Sequence, residues 1–171
     1  MIVPQTFCSP PFYEKNSEIT ITKFASILES WKDGLFLMDI AFATNVFQDT
    51  ENPWESPVES VQLAVQYWRE SGKPTIEECF KKRDRNGAKP HMVKFLAIYI
   101  QVMHWAKGES VTSLDDISDK ISSMSYAPMN VSERLQFILN VPNHHHAFTT
   151  LDQLFEESKK KLAVYHSKLR K

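Results

Sequence analysis

Apolar stripes at helical spacing alternate with short polar breaks along this chain, and the every-other-residue pattern of a half-buried strand is nearly absent. Ile21, Phe24, Ile27, Leu28 and Trp31 recur every three or four positions. They predict a first helix, capped at Ser17 or Thr20 and running to about Asp33, with Gly34 just past its end. Leu35 to Phe47 (LFLMDIAFATNVF) is apolar on most sides, which predicts a second helix buried between others. Ser56 and Pro57 open a third, which Val58, Val61, Leu63, Val65, Tyr67 and Trp68 carry to about Glu70. Ser71-Gly72-Lys73-Pro74 reads as a break. Thr75, with Glu78 at the capping-box position, starts a short fourth helix that Asn86-Gly87 ends.

Pro90 is expected to open the fifth helix, which runs to about Lys107. From Met92 to Trp105 it is apolar except for Lys94, Gln101 and His104. Lys94 and Gln101 lie seven apart on one line and are expected to face solvent, so the rest of this helix forms the centre that the others surround. The run is too short to span a membrane. Ser113 caps a sixth helix with Asp115 and Asp116 in its first turn, and Asn130, with Glu133 three residues on, caps a seventh from Val131 to Asn140. After a Pro142-Asn143 break, Thr149 and Thr150 cap an eighth. Its Leu151, Phe155, Ser158, Leu162, Tyr165 and Leu169 form a narrow heptad-like seam. Ile19 to Thr22 alternates like a strand but is too short to outvote the helix that follows. The prediction is an all-α single domain over residues 1–171, with about seven to eight helices around a central apolar helix at about 90–107. An extended Pro/aromatic arm (1–16) leads into it, and a C-terminal amphipathic helix (150–171) closes it.

Composition agrees with this picture: four glycines against eleven Phe and four Trp favour long helices with aromatic packing over a turn-rich sandwich. The net charge of −1 hides an uneven distribution. Residues 1–80 carry five Lys/Arg against twelve Asp/Glu, and residues 95–158 carry three against eight. Between them residues 81–94 (KKRDRNGAKPHMVK) carry six against one, and the last thirteen residues carry six and no acid. Two basic islands in an acidic chain are candidate contacts for phosphate or an acidic partner. Cys8 and Cys79 form neither a disulfide framework nor a CxxC site, and the N-terminus has no signal-peptide pattern, so a cytoplasmic protein is expected.

The candidate chemistry centres on His144, His145 and His146. In extended backbone His144 and His146 point to one side, so a metal site there would need another ligand such as His104. Ligand type alone supports it, since HExxH, CxxC and Glu-x-x-His pairs are all missing. The competing expectation is that His145 or His146 orders the hairpin between the last two helices. No catalytic residue is identified: there is no GxSxG elbow, Walker A loop or GxGxxG turn, and Glu77-Glu78, Asp115-Asp116 and Glu156-Glu157 are explained by capping and solvation. No cofactor is expected. The binding candidates for nucleic acid or an acidic partner are Lys81, Lys82, Arg83, Arg85 and Lys89 in the first island and Lys159, Lys160 and Lys161 in the second, which continues through Lys168, Arg170 and Lys171. Pro10-Pro11-Phe12-Tyr13 spells a PPxY ligand pattern, for which a clasp pinned by its own aromatics is the simpler reading.

The stretch from Glu133-Arg134-Leu135-Gln136-Phe137-Ile138-Leu139 through Pro142, His145, His146 and Phe148 to Leu151-Asp152-Gln153-Leu154-Phe155-Glu156-Glu157 resembles the C-terminal part of the YpoC-like family of small bacterial proteins. The early Pro-Pro-Phe-Tyr is compatible with that. The resemblance brings no catalytic residues to carry over. Members are commonly encoded beside replication and repair proteins, including a DnaD-type primosome protein and endonuclease III, which implies a DNA-related association. One or two aromatic or histidine residues suffice in the pattern where this chain has three, which argues against a metal site that depends on the triplet. The functional expectation is a non-enzymatic interaction module that meets a protein partner through the C-terminal seam or a basic island. Next come a nucleic-acid-associated accessory protein and then a metal-binding enzyme.

Overall fold

The computed structural model describes residues 1–170, so Lys171 of the second basic island lies outside the described residues. The architecture is all-α: α1 (Ile27–Asp33), α2 (Leu37–Ala43), α3 (Pro57–Tyr67), α4 (Lys73–Lys81), α5 (Arg85–Trp105), α6 (Ile117–Ser122), α7 (Val131–Asn140) and α8 (His145–Leu169). Among the described residues there is no strand, only an isolated antiparallel bridge between Ile2 and Glu18. α5 is the centre: every residue from Met92 to Trp105 except Lys94 is buried.

Several helix ends differ from the expectation, each for a local reason. The first helix starts at Ile27 rather than near Ser17 or Thr20, because residues 17–25 are used as an extended edge. Ser17 O accepts from Val3 N (2.8 Å), Met1 O accepts from Ile19 N (2.9 Å), and the Gln48 amide brackets Thr22 O and Phe24 N. Ser26 then caps α1 by accepting from Glu29 N at 3.1 Å, while Glu29 Oε2 accepts from Ala25 N. α2 stops at Ala43 rather than Phe47: Asn45 takes a positive φ of 59° and Val46 N closes back on Ala41 O.

The break expected at Ser71-Gly72-Lys73-Pro74 is instead a single π-helical turn, Trp68–Gly72, that joins α3 to α4. Pro74 follows closely on this turn, within the first two positions of α4. Gly72 permits the close packing here, since a Cβ would lie 2.7 Å from the Phe95 ring. The next boundary also moves. Asn86-Gly87 does not end α4; Arg83 turns the chain at φ 56°, and Asp84 Oδ1 accepts from Gly87 N at 2.9 Å, which starts α5 five residues before Pro90. Asp115 and Asp116 precede α6 instead of occupying its first turn. α7 runs from Val131 to Asn140 as expected. α8 begins at His145, so Thr149 and Thr150 are not caps; their hydroxyls donate to the carbonyls of His145 (3.3 Å) and His146 (2.8 Å) within the helix.

The N-terminal arm is wedged into the fold. Phe7 is fully buried, Thr6 O accepts from Leu114 N, Phe12 meets Phe36 edge-on at 5.1 Å, and Tyr13 Oη donates to Leu35 O at 2.8 Å. The PPxY tyrosine is thus a clasp on its own chain. Gln101, expected in solvent, is 1% exposed and belongs to a polar knot in the core. Trp31 Nε1 donates to Gln101 Oε1 (2.9 Å), and Gln101 Nε2 donates to Asp39 Oδ2 (2.7 Å). Asp39 Oδ1 accepts from Trp105 Nε1 (2.9 Å) and Val111 N (2.7 Å). Burial pushes the Asp39 carboxyl up to about 6, against the pull of those donors toward the ionised form. The knot ties α1, α2, α5 and the loop after α5 together.

Candidate functional site

The two long amphipathic helices α3 and α8 meet along a groove of about 500 Å3. Val58, Val61 and Val65 recur on one face of α3, with Gln62 and Gln66 on its shoulder and Arg69 in the π turn that follows; α8 contributes Lys159, Leu162, Ala163, His166 and Ser167, with Arg170 just past its end. Each set spans three turns, about 16 Å. Val61, Val65 and Leu162 are buried and form the floor, whereas Ala163 and Ser167 on the α8 wall are exposed. The His166 ring is held by a 2.8 Å hydrogen bond between Nε2 and Ala106 O, which fixes the orientation of this half of α8.

Two different uses of α8 explain the groove. Of the predicted seam, Leu151, Phe155, Ser158 and Leu162 are at most 3% exposed and belong to the molecule's own core. Ser158 Oγ and Tyr99 Oη share a 2.7 Å hydrogen bond there, and burial raises the Tyr99 phenol. Tyr165 still packs on Tyr126, at 4.7 Å between centroids, but Val164 and Leu169 are exposed. Along the first half, each acid is taken by a cation from another helix. Asp152 meets Lys73 (2.9 Å) and accepts from Trp68 Nε1, Glu156 meets Arg69 (3.0 Å), and Glu157 meets Arg134. The Lys73 ammonium is raised by the Asp152 bond. From Lys159 onward α8 has no acid, and among the described residues no ion pair involves Lys159, Lys160, Lys161, Lys168 or Arg170.

The structure puts the two basic islands in different places. Lys81, Lys82, Arg83, Arg85 and Lys89 are all exposed around the α4–α5 elbow, with Lys82 3.5 Å from Glu78. Phe80, beside that elbow, meets His145 at the start of α8. Lys159 lies fourteen positions further along α8, about 21 Å at helical rise, and the Asp152 and Glu156 ion pairs intervene. They are two patches, not one surface.

The histidines serve the hairpin. The His145 ring stands perpendicular to Phe80 of α4 at 5.2 Å, and the His146 ring meets Phe137 of α7 at 5.2 Å. His144 sits at the N-cap position without a side-chain capping bond. His104 is on the central helix, its Nδ1 2.8 Å from Ile100 O, and burial pushes its pKa down. Among the described residues no three His, Cys, Asp or Glu side chains come together in a way that would hold a metal ion, so the His144, His146 and His104 set is not assembled. Both cysteines are free, and no helix is long and apolar enough to cross a membrane.

Sequence reasoning missed the groove and the polar knot. The valines of α3 and Leu162 were visible as stripe residues, but nothing local says that positions so far apart in the chain become neighbours. Asp39 in an otherwise apolar run was the one available signal for the knot.

A family model described as YpoC-like protein matches residues 58–170. The Bacillus subtilis (strain 168) protein named "Uncharacterized protein YpoC" is 33% identical over 115 residues, which is 67% of this chain and 70% of that protein. No solved structure matches. The matched segment includes every residue that lines the groove and excludes α1, α2 and Asp39.

Proposed function

The chain belongs to the YpoC-like family, and from that premise we propose that it is a non-enzymatic interaction module of the cytoplasm whose partner face is the α3–α8 groove. The observation that carries this reading is a groove three turns long with an apolar floor at Val61, Val65 and Leu162, flanked by Lys159 and Arg170. Helix-lined apolar grooves of this kind are a recurring way to take a partner segment. The predicted seam is no longer the partner face, because its first four positions are spent on the core. The test is site-specific photo-crosslinking in living cells, with a benzophenone side chain at Ala163 and, as control, at exposed Ser122 of α6. A discrete adduct from position 163 that position 122 does not give supports the reading. If position 163 gives no adduct beyond the control, the groove is not a partner face.

A second reading, a DNA-associated accessory role, is favoured by one observation: five cations exposed together on the α4–α5 elbow. Phosphate contacts there would make binding steeply salt-dependent. The decisive measurement is a gel shift across a salt series with Lys81, Lys82, Arg83 and Arg85 all changed to Glu. Unchanged binding in that variant removes this reading.

A further inference from the structure

We propose that the α3–α8 groove takes an acidic amphipathic helix from a second protein; this rests on the reading that the groove is the partner face, and adds the chemistry of the occupant. Shape comes first. The groove is walled by two helices over three turns each, from Val58 to Arg69 and from Lys159 to Arg170. A third helix lying along it would set its own stripe of three or four apolar side chains onto Val61, Val65 and Leu162. Ala163, small and exposed on the α8 wall, lets the backbone of that helix come close.

Charge decides which helix. Lys159 of α8 and Arg170 just past its end stand eleven positions apart, one at each end of the groove, and neither is engaged in an ion pair among the described residues. Arg69 is already held by Glu156. The acid in the lining is Glu70, and its Oε1 accepts from Gln66 Nε2 at 3.2 Å. On the α3 side Gln62 and Gln66 are neutral. Lys160, Lys161 and Lys168 on the neighbouring face of α8 add to the same field. A helix with Glu or Asp on both flanks of its apolar stripe matches this rim, whereas a basic helix is repelled at both ends. A nucleic acid fits poorly, since a duplex presents no apolar ridge for the valine floor.

The probe is a designed eighteen-residue fluorescent helix with a leucine stripe and glutamates on both flanks, with a partner peptide in which every Glu is Lys. Both are titrated by anisotropy against the full chain, the double variant Lys159→Glu/Arg170→Glu and the groove-filling variant Ala163→Trp. Circular dichroism confirms that each variant is folded, and all three positions are exposed. The Glu peptide is expected to bind the unaltered chain roughly ten-fold or more tighter than the Lys peptide, with the preference reversed in the double variant and both affinities lost in Ala163→Trp. Four results overturn the proposal. The first is equal binding of the Lys peptide, and the second is a Glu peptide with no saturable binding up to millimolar chain. Glu-peptide binding that survives Ala163→Trp places it on the lysine face instead. A concentration-dependent dimer abolished by Ala163→Trp makes a second copy the occupant. If crosslinking at Ala163 finds a partner but the peptides show no charge preference, the acidic chemistry fails and the groove reading stands; if position 163 gives no specific adduct, the groove reading itself has failed.

Discussion

Exchanging the amide and the carboxylate between Asp39 and Gln101 tests the polarity of the core. All the hydrogens in the knot run one way. Trp31 Nε1 can only donate, so Gln101 must present Oε1 to it and Nε2 to Asp39. Trp105 Nε1 and Val111 N also donate, so Asp39 accepts three hydrogen bonds. Asp39→Asn keeps the shape but brings a donor into this set. If the new amide's oxygen stays with Trp105 and Val111, its NH2 faces Gln101 Nε2. If Gln101 turns over, its NH2 faces Trp31 instead. One buried donor is stranded either way, which costs about 1–3 kcal/mol. Gln101→Glu alone sets a second carboxylate about one hydrogen bond from Asp39, and burying that unpaired charge costs on the order of 3 kcal/mol or more.

The double variant Asp39→Asn/Gln101→Glu restores every bond with the charge moved one side chain along. The amide now at position 39 would accept from Trp105 and Val111 and donate to the carboxylate now at position 101, whose second oxygen accepts from Trp31. Its stability is expected within about 1 kcal/mol of the unaltered chain, so the two substitutions couple favourably by at least about 2 kcal/mol. Denaturant unfolding at pH 7.5, followed by tryptophan fluorescence, gives all four corners of the cycle. Additive losses in the double variant would refute the donor-direction argument.

The same carboxyl gives a pH signature. Its folded pKa of about 6 lies above the ordinary 3.8, so the fold holds this proton more tightly than the unfolded chain does. The Asp39 contribution is therefore most favourable below about pH 4, falls as pH rises to about 6 and is flat above, by up to about 3 kcal/mol. The stability difference between the unaltered chain and Asp39→Asn, measured from pH 4 to 7, isolates it, and a difference that grows toward pH 7 would contradict the sign. Truncation after Ser158 removes Leu162 (1% exposed), the Tyr165–Tyr126 contact and the His166 bond to Ala106, and is expected to abolish cooperative unfolding; a sharp, native-like melt would show that the last three turns are dispensable. Gly72→Ala drives a methyl to within 2.7 Å of the Phe95 ring, which is expected to cost about 1–3 kcal/mol by overpacking; a neutral result in thermal melts would mean that the ring moves freely.

Helices whose faces are decided by their own sequence were legible, and features that need two distant segments were not. α7 covers Val131 to Asn140 as expected, although Asn130 makes no side-chain capping bond, and Met92 to Trp105 is the centre because a helix that is apolar all round has to be surrounded. Gln101 was misread for the same reason that Lys94 was read well enough. Spacing places both on one line, but only the second fold partner, 62 positions earlier at Asp39, makes one of them interior. Thr149 and Thr150 carry a strong capping signal, yet His145 and His146 start α8 earlier because their rings find Phe80 and Phe137, and no pattern within the helix encodes those contacts.

The seam of α8 shows how one periodic pattern serves two purposes. Its heptad spacing continues from Leu151 to Leu169, and a pattern alone would assign the whole length to one interface. The charge pattern breaks it in the middle. Up to Glu157 the flanking residues are acids, each matched by Lys73, Arg69 or Arg134 from the body, so that half is clamped onto its own fold. From Lys159 the flanks are cations that form no ion pair among the described residues, and the apolar residues Val164 and Leu169 come out into solvent. Flanking charge, more than apolar spacing, marks where the flanks of this helix are no longer clamped to its own fold, although Leu162, Tyr165 and His166 still pack on the body. Reversing charge at Lys159 and Arg170 should therefore alter partner choice with almost no effect on stability, whereas Arg134→Glu, which sets a like charge against Glu157, should destabilise the fold and leave the groove's preference unchanged. Denaturant unfolding and the peptide titration on the same variants would separate these outcomes. Stability lost at Lys159 and Arg170 as readily as at Arg134 would show that the division does not exist.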